Sequence, residues 1–328
     1  MPDMNEQTCG RINFLNAFAR KLCLALSAMP TQKGSIKLFR LLGIDVYLHW
    51  GWFLAFMYFT SRPNEYSNYG WSALEILALF LIVLTHEFGH ALACRSVGGQ
   101  ANMIVLWPLG GVAYVNPPQR PGAQLWSIVA GPLVNVALVP ILIGAVIVAR
   151  QLGMEEKFPD AFMLLANVRN INIIILIFNL LPVFPLDGGQ ILRSLLWFPF
   201  GRANSLMAAS VIGFIGVAGL FLLAIVLKSF WMGIMAAFIL MNCWGGLVHA
   251  RALARIAKIP RREGFACPSC QSAPPLGALW RCGHCGTAFD IFASQAACPN
   301  CGAKFNLIQC LDCGTRHDAA EWGLHGQF

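Results

Sequence analysis

The stretch Ile76-Leu-Ala-Leu-Phe-Leu-Ile-Val-Leu84 runs directly into Thr85-His-Glu-Phe-Gly-His90. An apolar run of this length predicts a helix, and residues four apart on a helix share one face, so His86 and His90 can bind one metal ion. Glu87 lies beside them, where it can act as a general base toward a metal-bound water. The alternative is a set of hydrogen-bonded core residues. Because three ionisable groups in an apolar segment carry a high desolvation cost, a functional site is favoured.

Composition extends the membrane interpretation to most of the chain. Of its 328 residues, 57% are hydrophobic and 12% are charged, whereas ordinary soluble domains carry about 25% charged residues. The apolar residues are concentrated in runs close to the ~20 residues that a helix needs to cross a bilayer. The sequence predicts six spanning segments: approximately Ile44–Thr60, Ser72–Cys94, Gln124–Ala149, Phe162–Leu181, Leu206–Leu227 and Phe230–His249.

The formal net charge of +8 has an uneven distribution. Basic residues cluster before the first apolar run and after the last, which the positive-inside rule associates with two cytoplasmic termini. An even number of spanning segments gives the same orientation. Nucleic-acid binding is the less favoured explanation of the charge. Arg20 and Lys21 interrupt any apolar signal-peptide core, so residues 1–40 are interpreted as a cytoplasmic leader, either an interfacial helix or a poorly ordered segment.

A third metal ligand is predicted at Asp187, within Asn179-Leu-Leu-Pro-Val-Phe-Pro-Leu-Asp-Gly-Gly189. Catalytic zinc commonly has three protein ligands and one open position. His86 and His90 lie near the end of the second segment, and Asp187 lies just past the end of the fourth. Because both segments run in the same direction, the three side chains can meet on one side of the membrane. The alternative role for Asp187 is to cap a helix.

Polar residues in other segments extend the candidate site. Asn135, in the third segment, can donate a hydrogen bond to a developing oxyanion or can bond another helix. Asn172 and Asn179 are seven residues apart and share a helix face, so they can line a wet path to the metal; an interhelical hydrogen bond explains Asn172 as well. Between the second and third segments, Met103–Val115 predicts a β-hairpin. Its edge strand either pairs with an unwound substrate or shields the site from lipid.

Four motifs together resemble the site-2 protease family of intramembrane metalloproteases. They are Thr85-His-Glu-Phe-Gly-His-Ala91, Pro108-Leu-Gly-Gly-Val-Ala113, Ala130-Gly-Pro-Leu-Val-Asn135 and Asn179–Gly189. The resemblance covers about residues 40–200. It implies zinc ligands at His86, His90 and Asp187, a catalytic base at Glu87, and roles for Asn135 and Asn179 in positioning the substrate or stabilising the oxyanion. It also implies regulated intramembrane proteolysis of membrane-anchored proteins. The chain lacks the PDZ-like insertion of many relatives, which leaves regulation and substrate choice open.

The C-terminal region is rich in cysteine. Eight of the 12 cysteines form four Cys-x-x-Cys units, a spacing that predicts two structural zinc sites in a double zinc ribbon. The simplest pairing joins the first two units and the last two, although nested or crossed pairing remains open. Disulfides conflict with the inferred cytoplasmic location. The units are Cys267/Cys270, Cys282/Cys285, Cys298/Cys301 and Cys310/Cys313.

The predicted fold class is an all-α polytopic membrane protein with about six transmembrane helices, a small β-hairpin after the second and a small zinc-ribbon domain. Its domains are the leader (1–40), a transmembrane metalloprotease domain (41–250) and a cytoplasmic double zinc ribbon (261–328). The predicted function is zinc-dependent hydrolysis of peptide bonds in membrane-anchored proteins, with one catalytic and two structural zinc ions. A substitution of Glu87 is the best test of this function. A catalytically silent scaffold that recruits a partner protein through the ribbons is the alternative, and a solute transporter is less favoured. A bacterial inner membrane is the expected location.

Overall fold

The computed structural model describes residues 34–60, 66–107 and 110–323. Most of the predicted leader and Pro108, in the predicted hairpin, therefore lie outside the described residues. The described chain forms two compact units, one of residues 34–201 and 208–243 and the other of residues 202–207 and 244–323. The first unit contains the candidate catalytic residues, and the second contains the four Cys-x-x-Cys units.

The first unit contains a small sheet and the apolar helices, the last of which continues into the second unit. In chain order its elements are β1 (Ser35–Leu41), β2 (Ile44–His49), α1 (Gly51–Thr60), α2 (Tyr69–Ser96), β3 (Gln100–Trp107), β4 (Gly110–Asn116), α3 (Pro121–Gln151), α4 (Met154–Lys157), α5 (Pro159–Leu180), α6 (Asp187–Val226) and α7 (Phe230–Ala257). Among the described residues, five helices are long and apolar enough to cross a membrane: α2, α3, α5, α6 and α7. Helix α6 is kinked at Gly201, whose φ is 74°.

The predicted spanning helix over Ile44–Thr60 is wrong. Its first part is the strand β2, and only Gly51–Thr60, a helix of 10 residues, is helical. The strand ends at His49, whose Nδ1 accepts a hydrogen bond from the Gly51 amide (3.1 Å) at the start of α1. The even number of spanning helices that supported two cytoplasmic termini is thus absent from the part of the chain that the structure describes.

The sheet is larger than the predicted hairpin. The predicted hairpin is confirmed as β3 and β4, which pair antiparallel, but β1 and β2 extend it to a four-stranded sheet of order β1-β2-β3-β4. Strands β2 and β3 pair in parallel, because α1 and α2 connect them across the sheet. Ile44, Val46, Ile104 and Leu106 are buried against α2. This packing holds the sheet next to the helix that carries the histidines.

The segment between α5 and α6 delivers Asp187. Helix α5 ends at Leu180, just before Pro182, and the chain turns through Val183, which is buried, to begin α6 at Asp187. Proline lacks the backbone N–H whose hydrogen bond would continue the helix. The turn is held by Cys243 on α7, whose thiol donates to the Phe184 carbonyl (2.8 Å). Asp187 therefore stands in the first turn of a helix, where the helix dipole favours a negative charge.

The second unit carries two small antiparallel hairpins. The first consists of β5 (Trp280–Arg281) and β6 (Ala288–Phe289), and the second of β7 (Leu307–Gln309) and β8 (Arg316–Asp318), followed by a 3₁₀ turn. Trp280 joins them by donating from Nε1 to the Gln309 carbonyl (3.2 Å). The core between the hairpins is aromatic and includes Trp280, Phe289, Phe292 and Trp322.

Candidate metal centre

Three ionisable side chains of α2 are buried in the first unit. His86, Glu87 and His90 are 4%, 6% and 8% exposed. The helix places the two histidines one turn apart, with their rings nearly perpendicular and their centroids 4.7 Å apart. Their Nε2 atoms lie 3.1 Å from each other. The two nitrogens thus face a common point.

Asp187 completes a group of three donor atoms. Its Oδ2 lies 3.0 Å from His86 Nε2 and 3.3 Å from His90 Nε2. Ligands at about 2.1 Å from a tetrahedral ion lie about 3.4 Å from one another, so these separations match three positions around one ion. Two imidazole nitrogens and a carboxylate oxygen are also donor types that zinc accepts. The three residues are one of three groups, within the described chain, that could hold a metal ion.

Gly131 on α3 makes room for the two histidine rings. A Cβ at this position would lie 2.8 Å from His86 Nε2 and closer still to the His90 ring. Gly89 on α2 is similarly close to α3, since its Cβ would lie 2.7 Å from the Ala130 carbonyl oxygen. Two glycines thus let α2 and α3 approach closely at the histidines.

Each histidine is oriented by a hydrogen bond at Nδ1. His90 Nδ1 donates to the Ser127 carbonyl oxygen (2.9 Å), and His86 Nδ1 lies 2.6 Å from Asn135 Oδ1. A proton on Nδ1 leaves the lone pair of Nε2 available to a metal. Asn135 is in turn bonded to Asn172 on α5, by Nδ2 to Oδ1 at 2.8 Å.

Strand β4 holds the carboxylate of Glu87. The Ala113 amide donates to Glu87 Oε2 (2.8 Å). Gly111 lies against the same carboxylate, because its Cβ would be 2.5 Å from Oε1. The edge strand of the sheet and the candidate base are therefore in direct contact.

Comparison with known proteins agrees with this arrangement. The model of the family described as peptidase family M50 matches residues 74–162 and 153–223, which contain all the side chains described above. This part of the chain is a relative of the M50 peptidases. The five apolar helices and this relationship together identify the protein as an integral membrane protein.

Curated relatives of the M50 region are named as zinc metalloproteases. Zinc metalloprotease MJ0392 from Methanocaldococcus jannaschii is 33% identical over 55% of this chain and 50% of its own length. The putative zinc metalloprotease sll0528 from Synechocystis is 30% identical over 67% of this chain and 62% of its own. The chain thus spans about half to three fifths of these relatives. A solved structure, the site-2 protease from Methanocaldococcus jannaschii, is 26% identical over 65% of this chain and 95% of that one, with a TM-score of 0.49.

The M50 region brings most of the predicted site residues together. His86, His90, Asp187 and Glu87 converge, and Asn135 contacts His86. Asn179 is half-buried in the last turn of α5, and its predicted role stays a prediction. Sequence reasoning missed Ser127 and the reason for Gly131. Of the two roles considered for Asn172, the interhelical hydrogen bond is the one observed, because its side chain is fully buried and bonds Asn135. The motif Ala130-Gly-Pro-Leu-Val-Asn135 contained the signal for Gly131.

The cysteines of the second unit form two groups of four. Cys267, Cys270, Cys310 and Cys313 form one, and Cys282, Cys285, Cys298 and Cys301 form the other. The first-with-second pairing is therefore wrong: the outer two units join each other and enclose the inner two. Nearest sulfurs are 3.5–3.7 Å apart, close to the about 3.8 Å expected around tetrahedral zinc with Zn–S bonds of about 2.3 Å.

The thiols within each cysteine group differ in pKa. Burial raises the pKa of Cys267 to about 11, and the neighbouring Cys282 thiol raises the pKa of Cys301 to about 12, whereas other thiols have a lowered pKa. The Thr287 hydroxyl lowers the pKa of Cys285 to about 5. The thiol of Cys310 and the hydroxyl of Thr315 lower the pKa of Cys313 to about 4. Because a thiolate is the form that binds a metal, Cys285 and Cys313 are thiols whose surroundings favour the metal-binding form.

Proposed function

We propose that the chain is an intramembrane zinc metalloprotease that hydrolyses peptide bonds of membrane-anchored proteins. The observation that carries the proposal is the convergence of His86, His90 and Asp187 beside Glu87 in buried surroundings on membrane-spanning helices. Such a cluster is costly in a membrane protein unless it has a function. The relationship to M50 peptidases supports the same activity.

In this proposal the zinc ligands are His86 Nε2, His90 Nε2 and an oxygen of Asp187. Zinc bound there would supply Lewis acidity, lowering the pKa of water and polarising a carbonyl group. Glu87 would take a proton from the attacking water and later pass it to the leaving amine. The Ala113 amide would hold the Glu87 carboxylate in position between these transfers. Asn135 would orient His86, since its Oδ1 and Nδ2 contact His86 and Asn172; this favours an orienting role over the predicted oxyanion contact.

The substrate would be an unwound segment of a membrane-anchored protein. A helix hides its backbone polar groups, so cleavage requires local unwinding. Strand β4 is an edge of the sheet, and its Ala113 touches the base. A substrate strand added next to β4 would therefore pass close to Glu87. This proximity supports substrate pairing over lipid shielding.

The rest of the chain is assigned by the same proposal. Residues 41–250, together with strand β1, form the protease domain, and 261–328 form a double zinc ribbon with two structural zinc ions that docks a partner protein. The predicted leader of residues 1–40 is shortened accordingly, because Ser35–Leu41 is strand β1 of the sheet. The basic flanks support cytoplasmic termini in a bacterial inner membrane. Among the described residues, five helices are long enough to cross a membrane, and α1 has 10 residues. Reporter fusions at both termini would test that orientation.

The decisive experiment compares purified wild-type protein with Glu87→Gln in detergent, using a membrane-anchored reporter and measuring bound zinc. We expect equal zinc in both and a loss of cleavage of about 100-fold or more in the variant, since general-base catalysis contributes about 10²- to 10⁴-fold. Equal cleavage by both proteins would reject Glu87 as the base. No cleavage by zinc-loaded wild type over several reporters would favour the scaffold alternative.

A further inference from the structure

We propose that Asn172 on α5 determines which ring nitrogen of His86 faces the metal, acting through Asn135 on α3. The inference rests on the metal site proposed above and adds a positioning residue that touches neither metal nor substrate. Asn135 and Asn172 are both 0% exposed. Together with His86 they connect three helices, α2, α3 and α5, by side-chain hydrogen bonds.

The direction of these hydrogen bonds is set by a backbone carbonyl. Asn172 Nδ2 lies 3.1 Å from the Asn135 carbonyl oxygen, which can only accept, so the Asn172 amide nitrogen must face it. Asn172 Oδ1 consequently faces the Asn135 side chain at 2.8 Å, where only a donor is favourable. Asn135 therefore presents Nδ2 to Asn172 and Oδ1 to His86.

The last bond of the series fixes the imidazole. Asn135 Oδ1 lies 2.6 Å from His86 Nδ1 and can only accept, so Nδ1 carries the proton. The lone pair then lies on Nε2, the nitrogen that points at Asp187. If the Asn135 amide were rotated by half a turn, its NH₂ group would face Nδ1 and favour the tautomer with the proton on Nε2. That tautomer cannot bind a metal through Nε2.

His90 shows why His86 needs this arrangement. His90 Nδ1 donates directly to the Ser127 carbonyl oxygen, which can only accept a hydrogen bond. His86 instead faces a side-chain amide, whose two ends have nearly equal size and opposite hydrogen-bonding character. Asn172 removes that ambiguity. It donates to the Asn135 carbonyl and thereby fixes which end of the Asn135 side-chain amide faces His86.

The test measures zinc affinity of the full-length protein in detergent, by competition with a chromophoric chelator. Binding that persists in a His86→Ala variant is assigned to the cysteine groups and subtracted. We expect Asn172→Leu to weaken zinc binding about 10- to 100-fold, as for other groups that orient a metal-binding histidine. The matched control is Asn170→Leu on the same helix, where the side chain is exposed and accepts from Arg169; its affinity should equal that of wild type.

A second substitution separates relay from packing. Asn135→Asp places a carboxylate beside His86, and both of its oxygens accept, so Nδ1 stays the donor whatever occupies position 172. Asn135→Asp should therefore restore the affinity of Asn172→Leu to within about 10-fold of wild type. If Asn172→Leu reduces the yield of monodisperse protein, Asn172→Ala gives the same comparison.

The outcomes are distinguishable. Unchanged affinity in Asn172→Leu, or a loss that Asn135→Asp does not restore, would overturn the relay while leaving the metal site intact. If wild type and His86→Ala bind zinc equally, the proposed metal site itself fails. A loss in Asn172→Leu, restored in the double variant and absent in Asn170→Leu, establishes the relay.

Discussion

Gly131 illustrates how one missing side chain shapes the candidate metal centre. Its backbone lies where α3 crosses the histidine-bearing turn of α2, and the space that a Cβ would fill is occupied by the rings of His86 and His90. A larger residue would have to displace a ring or separate the helices. Because interiors pack at crystal-like density, neither movement is free. The position thus couples helix spacing to ligand geometry.

We therefore expect Gly131→Ala to disrupt the metal centre. Overpacking typically costs about 1–3 kcal/mol, and displacement of a histidine should lower zinc occupancy and cleavage together. The measurement is zinc content and reporter cleavage of the purified variant. Gly144→Ala is the matched control, because it lies on the same helix with no atom within 4 Å of its added Cβ. Wild-type zinc content in Gly131→Ala would show that the rings can adapt.

The residues of the candidate site differ in how far sequence predicts them. His86, Glu87 and His90 are local on one helix, so their spacing alone brings them together. Asp187 is 97 residues from His90, yet the direction of the helices was enough to predict that they meet. The partners of Ser127 and Asn172 were not predictable, because they depend on how α3 and α5 are rotated about their axes. The rotation of a helix about its axis cannot be read from the sequence alone.

At the scale of elements, strand β4 contacts α2 at Glu87, the candidate catalytic base, and holds its carboxylate. Strand β4 is an edge of the sheet, and the amide of its Ala113 donates to Glu87 Oε2. Edge strands usually leave such amides available to another strand. Here the candidate base caps one of them. The carboxylate therefore depends on the backbone of β4 as well as on its own helix.

Removing this amide should misplace the base without removing the metal. Ala113→Pro lacks the N–H, and an edge strand tolerates proline where the amide faces away from the ladder. We expect kcat for reporter cleavage to fall about 10-fold or more with zinc content unchanged, since general-base catalysis is worth about 10²- to 10⁴-fold. Ala113→Gly keeps the amide and serves as the control. Equal kcat in the proline and wild-type proteins would show that Glu87 needs no support from β4.

The segment Ile44–Thr60 shows the limit of reading elements from sequence. A continuous apolar run of four to eight residues fits a buried strand as well as part of a helix. Ile44, Val46 and Leu48 alternate with Asp45 and Tyr47, but the prediction treated these residues as part of a longer apolar run. β2 forms because β3 pairs with it across a connection of 50 residues, between His49 and Gln100. Local hydrophobicity does not reveal such a long-range partner. The helices α2, α3 and α5 could be predicted without one.

At the scale of the whole molecule, the cysteine groups show a nested order. The first and last Cys-x-x-Cys units share one group, and the second and third share the other. The outer group therefore closes a loop that contains the inner group entirely. Spacing between the units is similar along the chain, so sequence could not distinguish this arrangement from a sequential one.

Consecutive arginines tie both cysteine groups to the segment that follows α7. Arg261 contacts both oxygens of Asp312 (2.6 and 3.0 Å), in the outer group's last unit, and Asp312 raises the pKa of Arg261. Arg262 pairs with Asp290 (2.7 Å), which also accepts from the amides of Phe292 and Ala293. Bidentate and partly buried contacts of this kind are stronger than exposed ion pairs. The two groups are thus joined at one point of the chain.

Two double variants decide between nested and sequential pairing in the intact protein. Cys267→Ser/Cys313→Ser removes two ligands of one group in the nested order, but one ligand from each group in the sequential order. Cys267→Ser/Cys285→Ser does the reverse. Since each double variant removes two thiols, they control for each other. With three zinc ions in wild type, we expect the first variant to retain two after challenge with a chelator and the second to retain one; the opposite result would establish sequential pairing.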